Sequence, residues 1–196
     1  MKIELLQNFI VFEGLDGAGT TTQSKLLAQK LGAVHTFEPT DSAIGKLIRS
    51  ILRGEVEVDQ QTLVYLFIAD RNQHVNYIKK TISEGQTVVC DRYLFSSLAY
   101  QSLSADFEFV YNLNKAFPLP ETLFFIDTPI NECQNRISKR NGNKEIFEGT
   151  EIQGTILSNY YKGLKLYGDN GFKYHVLDGL LPIDDLLNLE LKTLKN

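Results

Sequence analysis

A basic excess is what this chain most plainly lacks. Its 196 residues carry 20 lysines and arginines against 24 aspartates and glutamates, a net charge of −4. General binders of nucleic acid or of anionic membrane surfaces need the opposite balance, so neither kind of partner is expected. No apolar run approaches the length of a membrane span, and Met1–Asn8 lacks the shape of a signal peptide. A cytoplasmic location is therefore expected. Cysteine is scarce as well. Cys90 and Cys133 fall in predicted buried elements without metal-ligand spacing, which reads as two packed thiols rather than a disulfide or a metal site. The three histidines, His35, His74 and His175, are scattered and read as solvated or internally satisfied. No internal repeat, low-complexity tract or linker divides the chain, so residues 1–196 are expected to form one domain with a full core.

What is present is organised around one stretch. Phe9–Ile10–Val11–Phe12 reads as a buried parallel strand, followed by the glycine-rich turn Gly14–Leu15–Asp16–Gly17–Ala18–Gly19. From Thr22 to Leu31 the spacing of Leu26, Leu27 and Leu31 predicts a helix. Strand, glycine loop and helix are the context of a P-loop, G-x-x-x-x-G-K-[ST], whose backbone N–H groups and helix N-terminus cradle phosphate. Gly14 and Gly19 have the right separation, and Thr21 stands where a hydroxyl meets magnesium. The lysine position holds Thr20. The strict pattern fails there, and the plain alternative is a βα turn that binds nothing.

Later residues weigh against that alternative. Short apolar runs at Ala33–Phe37, Thr87–Asp91, Thr122–Asp127 and Tyr174–Asp178 read as strands. Between them, helices are predicted over Ile44–Leu52, Gln60–Ser83, Phe95–Ser102, Phe107–Phe117, Pro129 to Arg140, Glu151–Tyr167 and finally Ile183–Leu194. Alternation of this kind implies a parallel sheet covered on both faces, with ligands at the carboxyl ends of the strands. Asp16, Glu38, Asp91 and Arg92 all stand at predicted strand ends and should converge there with the glycine loop. Carboxylates and arginines around a phosphate cradle suit phosphoryl transfer, which needs positioning and charge neutralisation. Asp91 could hold magnesium as a Walker-B-type carboxylate, and Arg92 offers a fork for a second phosphate. Phe67 and Arg71 lie one helical turn apart and share a face; by themselves they read as a core ring and a surface cation. For Lys46 and Arg53 a solvated helix face is the better reading.

Together these residues resemble the thymidylate kinases, of the P-loop nucleoside-monophosphate kinase family. The resemblance runs through Phe12–Gly19, Glu38–Pro39 with Ile44–Leu47, Phe67 with Arg71, and Asp91–Tyr93 with Phe95–Ser96 and Tyr100–Gln101. It implies a P-loop NTPase-type three-layer α/β/α fold with a five-stranded parallel sheet, a mobile lid over about residues 136–150, and ATP-dependent phosphorylation of dTMP to dTDP. It implies ATP binding by Gly14, Leu15, Asp16, Gly17, Ala18, Gly19, Thr20, Thr21 and Thr22, with Mg2+ at Thr21 and Asp91. On the acceptor side Phe67 would stack on thymine, Arg71 would bond its carbonyl edge, and Arg49 and Arg92 would hold the phosphate. Asp16 would lie near the deoxyribose, Ser97 would face the base, Tyr100 would crowd the 2′ position, and Glu38 and Gln101 would complete the dTMP pocket. Asp16, Asp91, Arg92, Arg136 and Arg140 are the catalytic candidates, and a homodimer is implied.

The chain also departs from that family. Thr20 replaces the P-loop lysine, Ile146 a lid arginine, and Thr40 an arginine found in some members. Arg136, Lys139, Arg140 and Lys144 are the cations left to compensate. Two further readings stay open: a kinase for another deoxynucleoside or nucleoside monophosphate, and a nucleotide-binding protein of this fold with impaired catalysis.

Overall fold

The computed structural model describes residues 4–139 and 150–195. Five strands, β1 (Leu5–Gly14), β2 (Val34–Phe37), β3 (Val88–Asp91), β4 (Leu119–Asp127) and β5 (His175–Asp178), form one sheet in the order β2-β3-β1-β4-β5. Every pairing is parallel. All carboxyl ends therefore lie at one edge, and the register sets Phe12, Phe37 and Asp91 level with one another.

Among the described residues eight α-helices flank the strands: α1 (Thr20–Leu31), α2 (Ala43–Leu52), α3 (Gln60–Ser83), α4 (Leu94–Tyr100), α5 (Phe107–Asn114), α6 (Ile130–Ser138), α7 (Thr150–Asp169) and α8 (Ile183–Thr193). Right-handed crossovers put α1 on one face, because it alone leads leftward from β1 to β2, and α8 packs beside it. The remaining crossovers run the other way and fill the opposite face, where α4 packs on α5 and α7. The strand period shows the same division. Phe9 meets Tyr93 edge-on and Phe125 meets Tyr160 at a tilt in the α4/α7 layer, whereas Phe12 and Phe124 meet each other on the other side. Phe9, Val11, Phe12, Phe124 and Phe125 are fully buried, as near-continuous apolar strands of a covered parallel sheet must be. A separate small cluster, Ile48, Ile51, Leu52 and Leu63, joins α2 to α3 and takes the edge of Phe67.

Several boundaries differ from the sequence expectation. β1 starts at Leu5 and β4 at Leu119, four and three residues early, and Leu5 pairs with Leu119 and Leu6 with Pro120. The register then shifts before Ile10, where Asn8 takes φ 59° and its backbone N–H donates to Glu121 at 2.7 Å. A shift of this kind lets a strand carry a proline without a missing ladder bond in its centre. α5 ends at Asn114, whose side-chain amide donates to the Val110 carbonyl and competes with the helix ladder. α6 ends at Ser138, so the predicted continuation to Arg140 fails within the described residues at Lys139 and leaves Arg140 outside them.

Candidate active site

The turn after β1 is held by its own backbone. Ala18 N–H donates to Leu15 O, and Gly19 O accepts from Thr22 and Gln23 as α1 begins. Gly17 at φ 84° and Gly19 at φ 109° occupy the left-handed region, and a Cβ on Gly17 would stand 2.6 Å from the Cys133 carbonyl of α6. Only glycine fits both demands. Leu15 turns into the core and Thr20 is buried at the first residue of α1.

This turn forms one end of a cavity of about 700 Å3 that crosses the carboxyl edge of the sheet. Of the residues expected there from sequence, Asp16, Gly17, Gly19, Thr20, Thr21 and Thr22 line the loop end. Glu38, Arg49, Phe67, Arg71, Ser97, Tyr100 and Gln101 line the other end, and Asp91, Arg92 and Arg136 also border the cavity. Gly14, Leu15 and Ala18 support the loop from behind without lining the cavity. Arg140 lies outside the described residues.

At the loop end, Thr21 Oγ1 donates to Asp91 Oδ2 at 2.5 Å. The other carboxylate oxygen, Asp91 Oδ1, is buried with no partner among the described residues. Arg92, at φ 69°, turns away from its neighbour Asp91 and pairs with Asp16 at 2.8 Å. Its other amine group reaches Gly14 O, Ser96 Oγ and Tyr160 Oη. Below that knot lies Glu13, fully buried on β1. It accepts from the backbone of Tyr93 and Ser96 and from the hydroxyls of Ser96 and Tyr160. Burial pushes its carboxyl up to about 7, against the opposing pull of the Ser96 hydroxyl and the Arg92 charge. Arg136 of α6 braces the loop from outside, with Nη1 donating to Ala18 O at 3.1 Å, Nη2 to Gly179 O at 2.9 Å and Nε to Glu132 at 2.8 Å.

At the far end, the expectation of a surface Arg71 is overturned. Arg71 is 1% exposed, because Glu38 supplies its counter-charge with Oε2 at 3.0 Å from Nε and 2.7 Å from Nη2. Asn114 Oδ1 and Tyr93 O accept from the same guanidinium. Phe67, half-buried, lines the cavity and packs on the α2/α3 cluster. Arg49 donates to Pro39 O and Asp41 and stacks over Phe37. The Glu38–Pro39 peptide bond is cis. Ser97 Oγ and Gln101 Oε1 are buried without partners among the described residues, and burial raises the Tyr100 phenol well above its ordinary value.

The residue-by-residue reading of the sequence passed over several lining groups. Lys25, one turn beyond Thr21, faces the loop end together with His35, which bonds Ser24 at 3.0 Å and whose ring is held low by burial. Glu13 was legible only as a carboxylate set inside an apolar strand. His74 joins Glu38 at 2.9 Å, a link that no spacing in the chain announces. Lys46 is solvated, as expected, and Arg53 pairs with Glu55.

The family model described as thymidylate kinase matches residues 12–188. This chain belongs to the thymidylate kinase family. The match covers both ends of the cavity, the four strands after β1 and the last three residues of β1 itself. A protein of Methanococcus maripaludis described as a probable thymidylate kinase is 46% identical over 180 residues, 91% of this chain and 87% of that one. Among solved structures, the thymidylate kinase of Ehrlichia chaffeensis superposes with a TM-score of 0.72 at 27% identity, covering 97% of this chain and 99% of that one. The thymidylate kinase of Candida albicans reaches 0.79 at 22% identity, over 95% and 90%, a likeness of fold. The P-loop NTPase architecture expected from sequence is thus the observed one, and thymidylate kinases as a family are phosphotransferases. Among the described residues no helix is long and apolar enough to cross a membrane.

Proposed function

We propose that this chain transfers the γ-phosphoryl group of ATP to dTMP, with ATP at the glycine loop and dTMP at the Phe67/Arg71 end. One observation carries the reading: a single cavity joins a phosphate cradle to a pocket that pairs an aromatic face with a buried guanidinium. Phe67 stacks on the thymine, and Arg71 offers the one N–H that its four protein bonds leave over, on Nη1, to a carbonyl edge. Ser97 and Gln101 complete the base pocket with their orphaned oxygens, and Tyr100 crowds the 2′ position. Arg49 and Arg92 hold the acceptor phosphate, and Asp16, paired to Arg92, lies by the deoxyribose.

Magnesium fits the loop end on donor chemistry alone. Thr21 Oγ1 and Asp91 are hard oxygen ligands, and Asp91 Oδ1 is buried and unpartnered among the described residues. When bound with ATP, the ion would neutralise charge on the β- and γ-phosphates. Thr20 supplies a backbone N–H and a hydroxyl but no cation. Arg136, like Arg92, is a fixed positive charge in the described residues that touches the loop, and two of its five N–H groups remain for a phosphate oxygen. The chain acts as one domain, 1–196, in the cytoplasm and as a homodimer; the lid expected over about 136–150 lies mostly outside the described residues.

The test is a coupled assay with ATP and magnesium against dTMP, dUMP, dCMP, AMP and thymidine. dTMP should be the preferred acceptor, and thymidine, which cannot engage Arg49 or Arg92, a poor one. Comparable turnover of AMP would overturn the assignment of the base pocket.

A further inference from the structure

Arg71 and His74 stand on α3 three residues apart, and Thr36 on β2 and Glu38 just past its end lie two residues apart, so each pair presents to the same side. The two faces meet as a closed four-residue frame. Glu38 gives Oε2 to Arg71 and Oε1 to His74 Nδ1 at 2.9 Å, and His74 Nε2 contacts Thr36 Oγ1 at 2.7 Å. All but Thr36 are buried. Both bonds from Arg71 to Glu38 end on the same oxygen, so by themselves they leave the carboxylate free to pivot about Oε2. The bond to His74 removes that freedom. With the Thr36 hydroxyl donating to Nε2, the ring donates from Nδ1 to Glu38, and the frame leaves over only the spare N–H on Arg71 Nη1.

We propose that His74 is a positioning residue for choice of the acceptor base, acting through Glu38 on Arg71. The inference rests on the reading of this pocket as the site of dTMP. Arg71 has five N–H groups and four protein bonds, which leaves a single donor on Nη1 to read the base. One donor discriminates only if its direction is fixed: it donates to the 4-carbonyl of thymine and is mismatched with the 4-amino group of cytosine. Asn114 is held in turn by Val110 O, and the rings of Tyr93 and Phe117 lie 5.2 and 5.8 Å from the guanidinium carbon. Glu38 is the side of Arg71 that only His74 steadies.

The experiment measures kcat and KM for dTMP, dCMP and ATP in the wild type and in His74→Ala, His74→Asn and Thr36→Val, with thermal melts of each. In His74→Ala, KM for dTMP should rise about tenfold or more, the scale of losing a hydrogen bond to a charged group. The dTMP-over-dCMP preference should fall by a similar factor, while KM for ATP stays within about twofold of the wild type. His74→Asn, whose amide can donate from near the Nδ1 position, should recover most of the preference. Thr36→Val should shift the same two quantities in the same direction by less, and reads the frame independently if His74→Ala does not fold. Wild-type preference in a folded His74→Ala, or equal loss on the ATP and dTMP sides without rescue by Asn, would overturn the positioning role. If the wild type itself does not phosphorylate dTMP, the pocket assignment falls first, and that outcome is read before any variant.

Discussion

Glu13 lies at the end of β1 where a neutral side chain would fit the apolar pattern, yet four donors converge on its two oxygens. Its carboxyl titrates near 7 in the fold, against an ordinary value of 4.5, because burial outweighs the Ser96 and Arg92 contacts. Between those values the folded chain holds a proton that the unfolded chain has released. Stability therefore falls as pH rises from about 4.5 to 7, by up to about 1.4 kcal/mol per pH unit from this group alone. Glu13→Gln keeps a carbonyl for the two backbone N–H groups and an amide for the two hydroxyl oxygens, so the frame survives. Urea unfolding between pH 5 and 8 should show a flatter profile in Glu13→Gln than in the wild type. Glu190 on α8, buried and pushed up to about 8 by its burial, adds a drift of the same sign that the subtraction removes. Identical slopes in the two proteins would show that Glu13 stays ionised throughout.

At the scale of elements, the loop between β1 and α1 and the helix α6 behave as one unit. Cys133 closes on Gly17, and Arg136 holds Ala18 O and Gly179 O together. Thr20 is the residue this unit has to work around. Its methyl packs 3.2 Å from where a Cβ on Gly14 would lie, so a longer side chain has to leave that niche for the cavity. If Arg136 carries the phosphate charge, Arg136→Ala should lower kcat by about 10²-fold, the scale of one lost transition-state contact, and Thr20→Lys should change it little. Steady-state kinetics on the two variants side by side decide the matter; strong rescue by Thr20→Lys with an indifferent Arg136→Ala would mean a crippled loop. The glycine loop, the order of elements and the bounds of α3 were legible because they rest on local chemistry: turn glycines, strand and helix periods, and caps such as Asp59 and Gly85. The burial of Arg71 was not, because its counter-charge sits 33 residues away, just past the end of β2, and no spacing reveals the pair. The early start of β4 was hidden for a related reason: Pro118 and Pro120 read as breaks until Leu5 and Leu6 are seen to pair there.

Across the whole molecule, the sheet brings two binding ends to one edge, and a single side chain ties them. Arg92 reaches Gly14 O and Asp16 on the loop side and Ser96 and Tyr160 of α4 and α7 on the other, with Tyr100 at 5.3 Å from its guanidinium carbon. Arg49 has no such span, for its bonds go to Pro39 O and Asp41 within its own corner. The two arginines share the acceptor phosphate in the proposed reaction, but they should fail differently. Arg49→Ala should lose dTMP binding and spare ATP. Arg92→Ala should weaken both nucleotides and lower the stability of the empty protein, since Asp16 and the Gly14 carbonyl then lose their common partner. Thermal melts with each nucleotide alone separate the cases. A ligand at a hundred times its Kd adds about 2.7 kcal/mol, which for a chain of this size is roughly 5–10 °C in Tm. Arg49→Ala should keep the ATP shift and lose most of the dTMP shift, whereas Arg92→Ala should start from a lower Tm and lose much of both. An ATP shift undiminished in Arg92→Ala would confine Arg92 to the acceptor and leave the two ends of the cavity energetically separate.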